Sequence, residues 1–182
     1  MDKQFEGAAY CVGDDVKALE IMPNRFKSSS GLSDAELARA AFADLDPAFA
    51  GKALAGEYSI VIAGRNFGGG GKTVEGPVFA LRGAGVKLVI ADSFARYFLR
   101  NSINNGCPIL VCDGISRAVK TGHRLRVDVA TASIVDTASG REFKATPLSA
   151  TAIAILEAGG LVPFAMKRLA ARAAAQGAAG YS

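Results

Sequence analysis

The chain has 182 residues, half of them hydrophobic, with a formal charge of +4 and a sequence pI near 9.1. That is the size of one domain with one core. The scattered basic residues hold no nucleic-acid motif, which argues against a nucleic-acid partner, and no apolar run approaches the roughly 20 residues of a membrane span.

Taken in chain order, residues 5–12 read as a first strand and Gly13-Asp14-Asp15 as a turn. A short apolar stretch, residues 19–23, leads into a serine-rich, basic loop over residues 24–31. Ser33-Asp34-Ala35-Glu36 is a capping box, in which serine and glutamate each satisfy a free backbone N–H at a helix start. The spacing predicts a helix from there to about residue 44, with Leu37, Ala41, Phe42 and Leu45 on its apolar side and Asp46-Pro47 ending it. Residues 58–63 predict a buried strand, and residues 64–73 form a glycine-rich loop before a helix over 74–83. Residues 86–91 are the next buried strand. Ser93 is the expected cap of a helix over 94–103, with Phe94 and Phe98 facing inward, and Asn104-Asn105-Gly106 closes it. Residues 109–112 are a third buried strand. Strands alternating with helices at this spacing predict an α/β domain with a parallel sheet core and flanking helices.

Beyond residue 120 the character changes. Residues 124–129, 133–137 and 141–144 are short alternating strands and predict a small β-meander, followed by helices over 151–158 and 161–175. One domain over 1–182 is expected, with a frayed, disordered tail at 176–182. The three cysteines, Cys11, Cys107 and Cys112, form no CxxC pair; their odd number, without an apolar leader after Met1, points to the cytoplasm.

The loop from Gly64 to Thr73 follows a strand and precedes a helix, so glycine backbone and helix-start N–H groups together favour an anion. Lys72 adds a cation and Thr73 a hydroxyl. Gly71-Lys72-Thr73 matches the end of a phosphate loop, but that pattern needs glycine where Asn66 stands. Asp92 would be its magnesium ligand, although Asp92-Ser93 reads equally as a helix cap.

Read in order, further segments carry a resemblance. These are Ile21-Met-Pro-Asn-Arg-Phe26, Asp44-Leu-Asp-Pro-Ala-Phe49, Gly64-Arg-Asn-Phe-Gly68, Val89-Ile-Ala-Asp-Ser-Phe-Ala-Arg96, Arg100-Asn-Ser-Ile-Asn-Asn-Gly106 and Leu156-Glu-Ala-Gly-Gly-Leu-Val-Pro163. Over nearly the whole chain they resemble the small, swivel-domain subunits of 3-isopropylmalate dehydratase and its aconitase-superfamily relatives. The resemblance implies an aconitase swivel-like fold and a hydro-lyase subunit inactive without its large subunit. It implies a 4Fe-4S cluster on that partner, with no cofactor or metal bound by this chain, and a small carboxylate as substrate. Substrate contacts are then expected from Arg25, Phe26, Lys27 and Ser28 in the selecting loop, and from Gly70 and Gly71 in the glycine loop.

The family's glycine loop normally reads Gly-Ser-Ser-Arg-Glu-His, where a serine is the base and the arginine clamps a carboxylate. Here it is Gly68-Gly-Gly-Gly-Lys-Thr-Val-Glu-Gly-Pro77, one residue longer. Aligned through Pro77, Lys72 stands for a serine, Thr73 for the arginine and Glu75 for the histidine. With the gap after Lys72, Gly71 and Lys72 take the two serine positions. Lys72 and Thr73 are the expected catalytic residues, as carboxylate clamp or base. The usual acidic pair after Gly-Asp is also absent, where Val16-Lys17-Ala18-Leu19 stands. Isopropylmalate, another alkylmalate such as 2,3-dimethylmalate, and a binding or assembly role without chemistry all remain open. His123 reads as a turn histidine, Arg96 and Arg100 as a solvated helix face, and Cys107 and Cys112 as core.

Overall fold

In a computed structural model, residues 3–26, 33–70 and 75–179 are described. Two four-residue strands, β2 (Ile60–Ala63) and β3 (Leu88–Ala91), are buried at every position, as strands covered on both faces must be. With β4 (Ile109–Val111) and the end of β1 (Gln4–Cys11) they form a parallel set. The first half of β1 pairs antiparallel with β5 (Arg124–Asp128), which continues through β6 (Ser133–Asp136) to β7 (Glu142–Lys144). One strand thus joins the parallel set to the meander in a seven-stranded sheet of order β4-β3-β2-β1-β5-β6-β7.

Alternation along the strands divides the core. Val61, Ala63, Val89, Ala91 and Ile109 point to one side, where Phe42, Phe49, Phe67 and Phe98 pack. Ile60, Ile62, Leu88, Ile90 and Leu110 point to the other, against Leu125, Val127 and Ile134. The helices in chain order are α1 (Ala18–Ile21), α2 (Asp34–Ala40), α3 (Phe49–Leu54), α4 (Gly76–Gly83), α5 (Arg96–Asn104), α6 (Ile115–Ala118), α7 (Ala150–Glu157) and α8 (Leu161–Ala179), with a 3-10 turn at Asn24–Phe26.

Several local expectations are corrected. The capping box forms, with Glu36 N–H donating to Ser33 Oγ and Ser33 N–H to Glu36 Oε2. The helix nevertheless stops at Ala40. Phe42 takes φ +52 and donates its N–H to the Ile21 carbonyl, which turns its ring fully into the core. Leu45 is then left 45% exposed rather than on a buried face. Helix α3, which the sequence reading does not contain, starts after Ala48 without a side-chain cap and is held by burial of Phe49, Ala50 and Ala53. Ser93 does not cap α5. The helix begins at Arg96 after Ala95, and Ser93 Oγ instead accepts from Asn66 N–H at 2.9 Å. Helix α8 runs to Ala179 rather than ending near residue 175. Among the described residues no single helix is long and apolar enough to cross a membrane.

The thiols behave as core side chains. Cys107 is 1% exposed and burial pushes its thiol up to about 12. Cys112 is also buried, and Cys11 is partly so. Thiol–disulfide exchange needs the thiolate. Titration of the native protein with an aromatic disulfide at pH 8 should therefore register Cys11 alone within minutes, and all three thiols in denaturant. Fast reaction of Cys107 in the native state would show that its side of the sheet opens.

Candidate functional site

The carboxyl ends of β1 to β4 lie on one edge of the sheet, where open α/β sheets bind ligands. The turn after β2 meets the turn after β1 there. Arg65 donates its N–H to Asp14 Oδ1 at 2.8 Å, and Nη2 and Nε to Asp14 Oδ2 at 2.8 and 3.1 Å. The backbone N–H and guanidinium of Arg65 hold the Asp14 carboxyl below its ordinary range. Asn66, at φ +56, donates its side-chain amide to Asp15 Oδ1 at 3.0 Å. Asparagine tolerates that left-handed conformation better than most residues, which explains a non-glycine there.

Phe67 then turns inward and its ring meets those of Phe42, Phe94 and Phe98, the last edge-on at 5.1 Å. Its backbone pairs with the segment before α5, donating to the Ser93 carbonyl and accepting from Ala95 N–H. Gly68 N–H donates to the Val16 carbonyl, and Gly69 accepts from Ala18 N–H. Gly68 takes φ +80 and Gly70 φ +67. A Cβ on Gly68 would lie 2.4 Å from Phe98 Cβ, and one on Gly70 would lie 2.9 Å from Lys17 Cγ. The turn is therefore wedged between α5 and Lys17. Gly68, Gly69 and Gly70 form one wall of a recess of about 240 Å3 whose other wall is Arg96, Tyr97 and Asn101 of α5.

Of the residues singled out in sequence, Gly70 lies in this recess. Gly71, Lys72 and Thr73 lie outside the described residues, as do Lys27 and Ser28. Arg25 is ion-paired with Asp44 at 2.7 Å, and its guanidinium sits 4.8 Å from the Phe26 ring centroid. The 3-10 turn that carries both follows Met22, whose Sδ would meet a Cβ on Gly76 at 2.7 Å. Met22 therefore seats the selecting segment on the first residue of α4, the helix that the glycine loop feeds. Glu75, just before α4, accepts from Asn105 Nδ2 at 3.0 Å.

The phosphate-loop reading loses its acid. Asp92 accepts from Ser116 N–H and Ser116 Oγ, so its carboxylate is engaged at α6. Among the described residues no three His, Cys, Asp or Glu side chains converge as metal ligands. Cys107 packs in one core cluster, and Cys112 in the other with Cys11 against it. His123 Nδ1 lies 2.9 Å from the buried carboxylate of Asp136, far along the chain from the recess. Burial pushes the Asp136 carboxyl up, but the N–H groups of Ala138 and Ser139 and the His123 ring outweigh it and leave it below its ordinary value.

Sequence spacing places Arg96 on a solvated face. It is exposed, yet it also lines the recess, and so does Asn66. The side on which the β2 turn closes is set by tertiary packing, and no periodicity in the sequence reports it.

Comparison with known proteins follows this geometry. The aconitase C-terminal domain family matches residues 24–112. The 3-isopropylmalate dehydratase small subunit of Methanosarcina acetivorans is 40% identical, over 92% of this chain and all of the relative. The isopropylmalate/citramalate isomerase small subunit of Methanocaldococcus jannaschii is 38% identical, over 91% of this chain and 96% of the relative. A crystal structure of 3-isopropylmalate dehydratase from M. jannaschii superimposes with a TM-score of 0.84 at 33% identity, covering 93% of this chain and 98% of that one.

Proposed function

Because the chain belongs to the small-subunit family of 3-isopropylmalate dehydratases, we propose that it is the hydro-lyase subunit that closes over the active site of a cluster-bearing large subunit and acts on a malate-type hydroxy acid. The observation that carries this is likeness over nearly the full length of two relatives, at 40% and 38% identity, and of a solved structure at 33% identity with a TM-score of 0.84. The site chemistry agrees. A strand, a glycine turn and a helix start converge at the carboxyl edge of a parallel sheet, in a place suited to an anion.

Dehydration removes a proton from the carbon beside one carboxylate and hydroxide from the neighbouring carbon. When bound, the partner's cluster supplies the Lewis acid for the departing hydroxyl. This chain's part is to hold the carboxylates and take the proton. Thr73 or Lys72 is the candidate proton acceptor, and Arg25, Phe26, Lys27 and Ser28 border the variable side group. A lysine near neutrality must be desolvated to act as base, which closure onto the large subunit would bring about. Isopropylmalate leads as substrate, with citramalate and 2,3-dimethylmalate as the alkylmalate alternatives.

A second reading, a binding or assembly subunit without chemistry, is favoured by one observation. Residues 68–73 contain neither serine nor arginine. The test is anaerobic reconstitution with the cluster-loaded large subunit and a panel of alkylmalates and citrate-like acids. Turnover is expected for the mixture and none for this chain alone. A stable complex that turns over no acid in the panel overturns the catalytic reading and supports the second.

A further inference from the structure

Carboxylate recognition needs cations not already engaged elsewhere, and most of those near the glycine turn are engaged. Arg25 is held by Asp44, Arg65 is chelated by Asp14, and Arg82 donates to the Asn105 carbonyl. Two remain. Lys17 and Arg96 are both exposed, and among the described residues neither has an ion-pair partner. They sit at the two ends of the same turn. Lys17 is bridged in register to Gly69, and its stem lies over Gly70, where an added Cβ would come within 2.9 Å of Cγ and 3.1 Å of Cδ. Arg96 opens α5, the helix on which Gly68 is wedged, and among the described residues it is the one charged side chain lining the 240 Å3 recess.

We propose that Lys17 and Arg96 are a carboxylate-binding pair that receives the two carboxylates of a small diacid at the ends of the Gly68–Gly70 turn. The inference rests on the hydro-lyase reading above and assigns the charge recognition of that site. Arg96 presents a planar fork that fits a carboxylate with two parallel N–H bonds, whereas Lys17 is a point charge on a flexible stem. The division of labour follows from that difference. Arg96 fixes one carboxylate in orientation, and Lys17 follows the second across substrates of different length. The stem of Lys17 has room to lie flat because position 70 has no side chain. Asn66 and the Gly69–Gly70 backbone add polar lining, and among the described residues no carboxylate stands on the walls to oppose a diacid. Asp14 and Asp15, the nearest acids in sequence, are turned to Arg65 and Asn66.

The test uses the assembled two-subunit enzyme with Lys17→Met, Arg96→Gln and Arg96→Lys. Both side chains are exposed, so folding and assembly are expected to match the parent. Each of the first two variants should raise KM for the diacid about tenfold or more, the usual scale for losing one charge-assisted bond. Arg96→Lys should recover part of that loss. Calorimetric binding of malate or citramalate to the assembled complex should weaken in step, and it reads the pair without turnover. Unchanged KM and diacid affinity in both variants overturns the inference while wild-type turnover leaves the enzyme reading intact. Weakened subunit association with normal KM overturns it as well, and makes the two residues subunit contacts. If the wild-type complex neither turns over nor binds any diacid, both readings fall together. Diacid binding that is lost in the variants without turnover keeps the pair and removes only the chemistry.

Discussion

Gly68→Ala should lower the unfolding free energy by about 2–5 kcal/mol and remove turnover from the assembled enzyme. Two penalties act at once. A Cβ in the left-handed region costs about 1–2 kcal/mol, and Gly68 stands at φ +80. The added carbon would also fall 2.4 Å from both Cβ and Cγ of Phe98, closer than any packed contact allows. Phe98 has little room to give way, because its ring is packed against Phe67 and Phe94. Overpacking of that kind typically costs about 1–3 kcal/mol. The backbone must shift instead, which would break the Gly68 N–H bond to Val16 and tilt the wall of the recess. Urea unfolding and reconstituted turnover measure the two effects. Wild-type turnover in a variant destabilised by less than about 1 kcal/mol would mean that the turn is pliant and that its wedge against α5 is not required. Gly70→Ala is the informative contrast. It meets the movable stem of Lys17, so its steric cost should be smaller while its φ cost remains.

Phe67→Ala should cost about 3–5 kcal/mol, the range for truncating a fully buried aromatic residue. Phe67 has no exposed surface, and its ring joins Phe42 on the α2 side to Phe94 and Phe98 at α5. Its loss leaves a cavity under the glycine turn, where the backbone bonds to Ser93 and Ala95 hold the strand edge to the start of α5. The expected result is a lower urea midpoint together with a raised KM, because the wall carrying Arg96 loses its support. Phe67→Leu fills part of the space and should retain more of both. A Phe67→Ala variant as stable as the parent would show that neighbouring rings collapse into the void. Positions 67 and 68 share Phe98, so the double variant should not equal the sum of the two.

Much of this was readable from residues alone. The short all-apolar runs of β2 and β3 read as strands buried on both faces, and the Ser33–Glu36 box marked a helix start. The alternation after residue 124 gave the meander, and the ordered segments from Ile21 to Pro163 identified the family that full-length relatives confirm. Where the expectations failed, a distant contact overrode a local preference. Phe42 left its helix because its ring gains more by burial beside Phe49 and Phe67 than by one more turn. Helix α3 formed with no cap because three of its side chains are buried.

Fold class, the strand–glycine turn–helix unit and the family are legible in the residues, because these follow from periodicity, turn chemistry and residue order within short windows. Which polar groups are engaged depends on packing between distant segments. Ser93 serves Asn66 rather than its own helix, Asp92 caps α6, and Arg25 and Arg65 are paired with acids 19 and 51 residues away in sequence. Those pairings left Lys17 and Arg96 at the ends of one glycine turn. Hydrogen bonds and ion pairs are made by whichever partner arrives within about 3 Å, and at such separations only the packed chain fixes that partner.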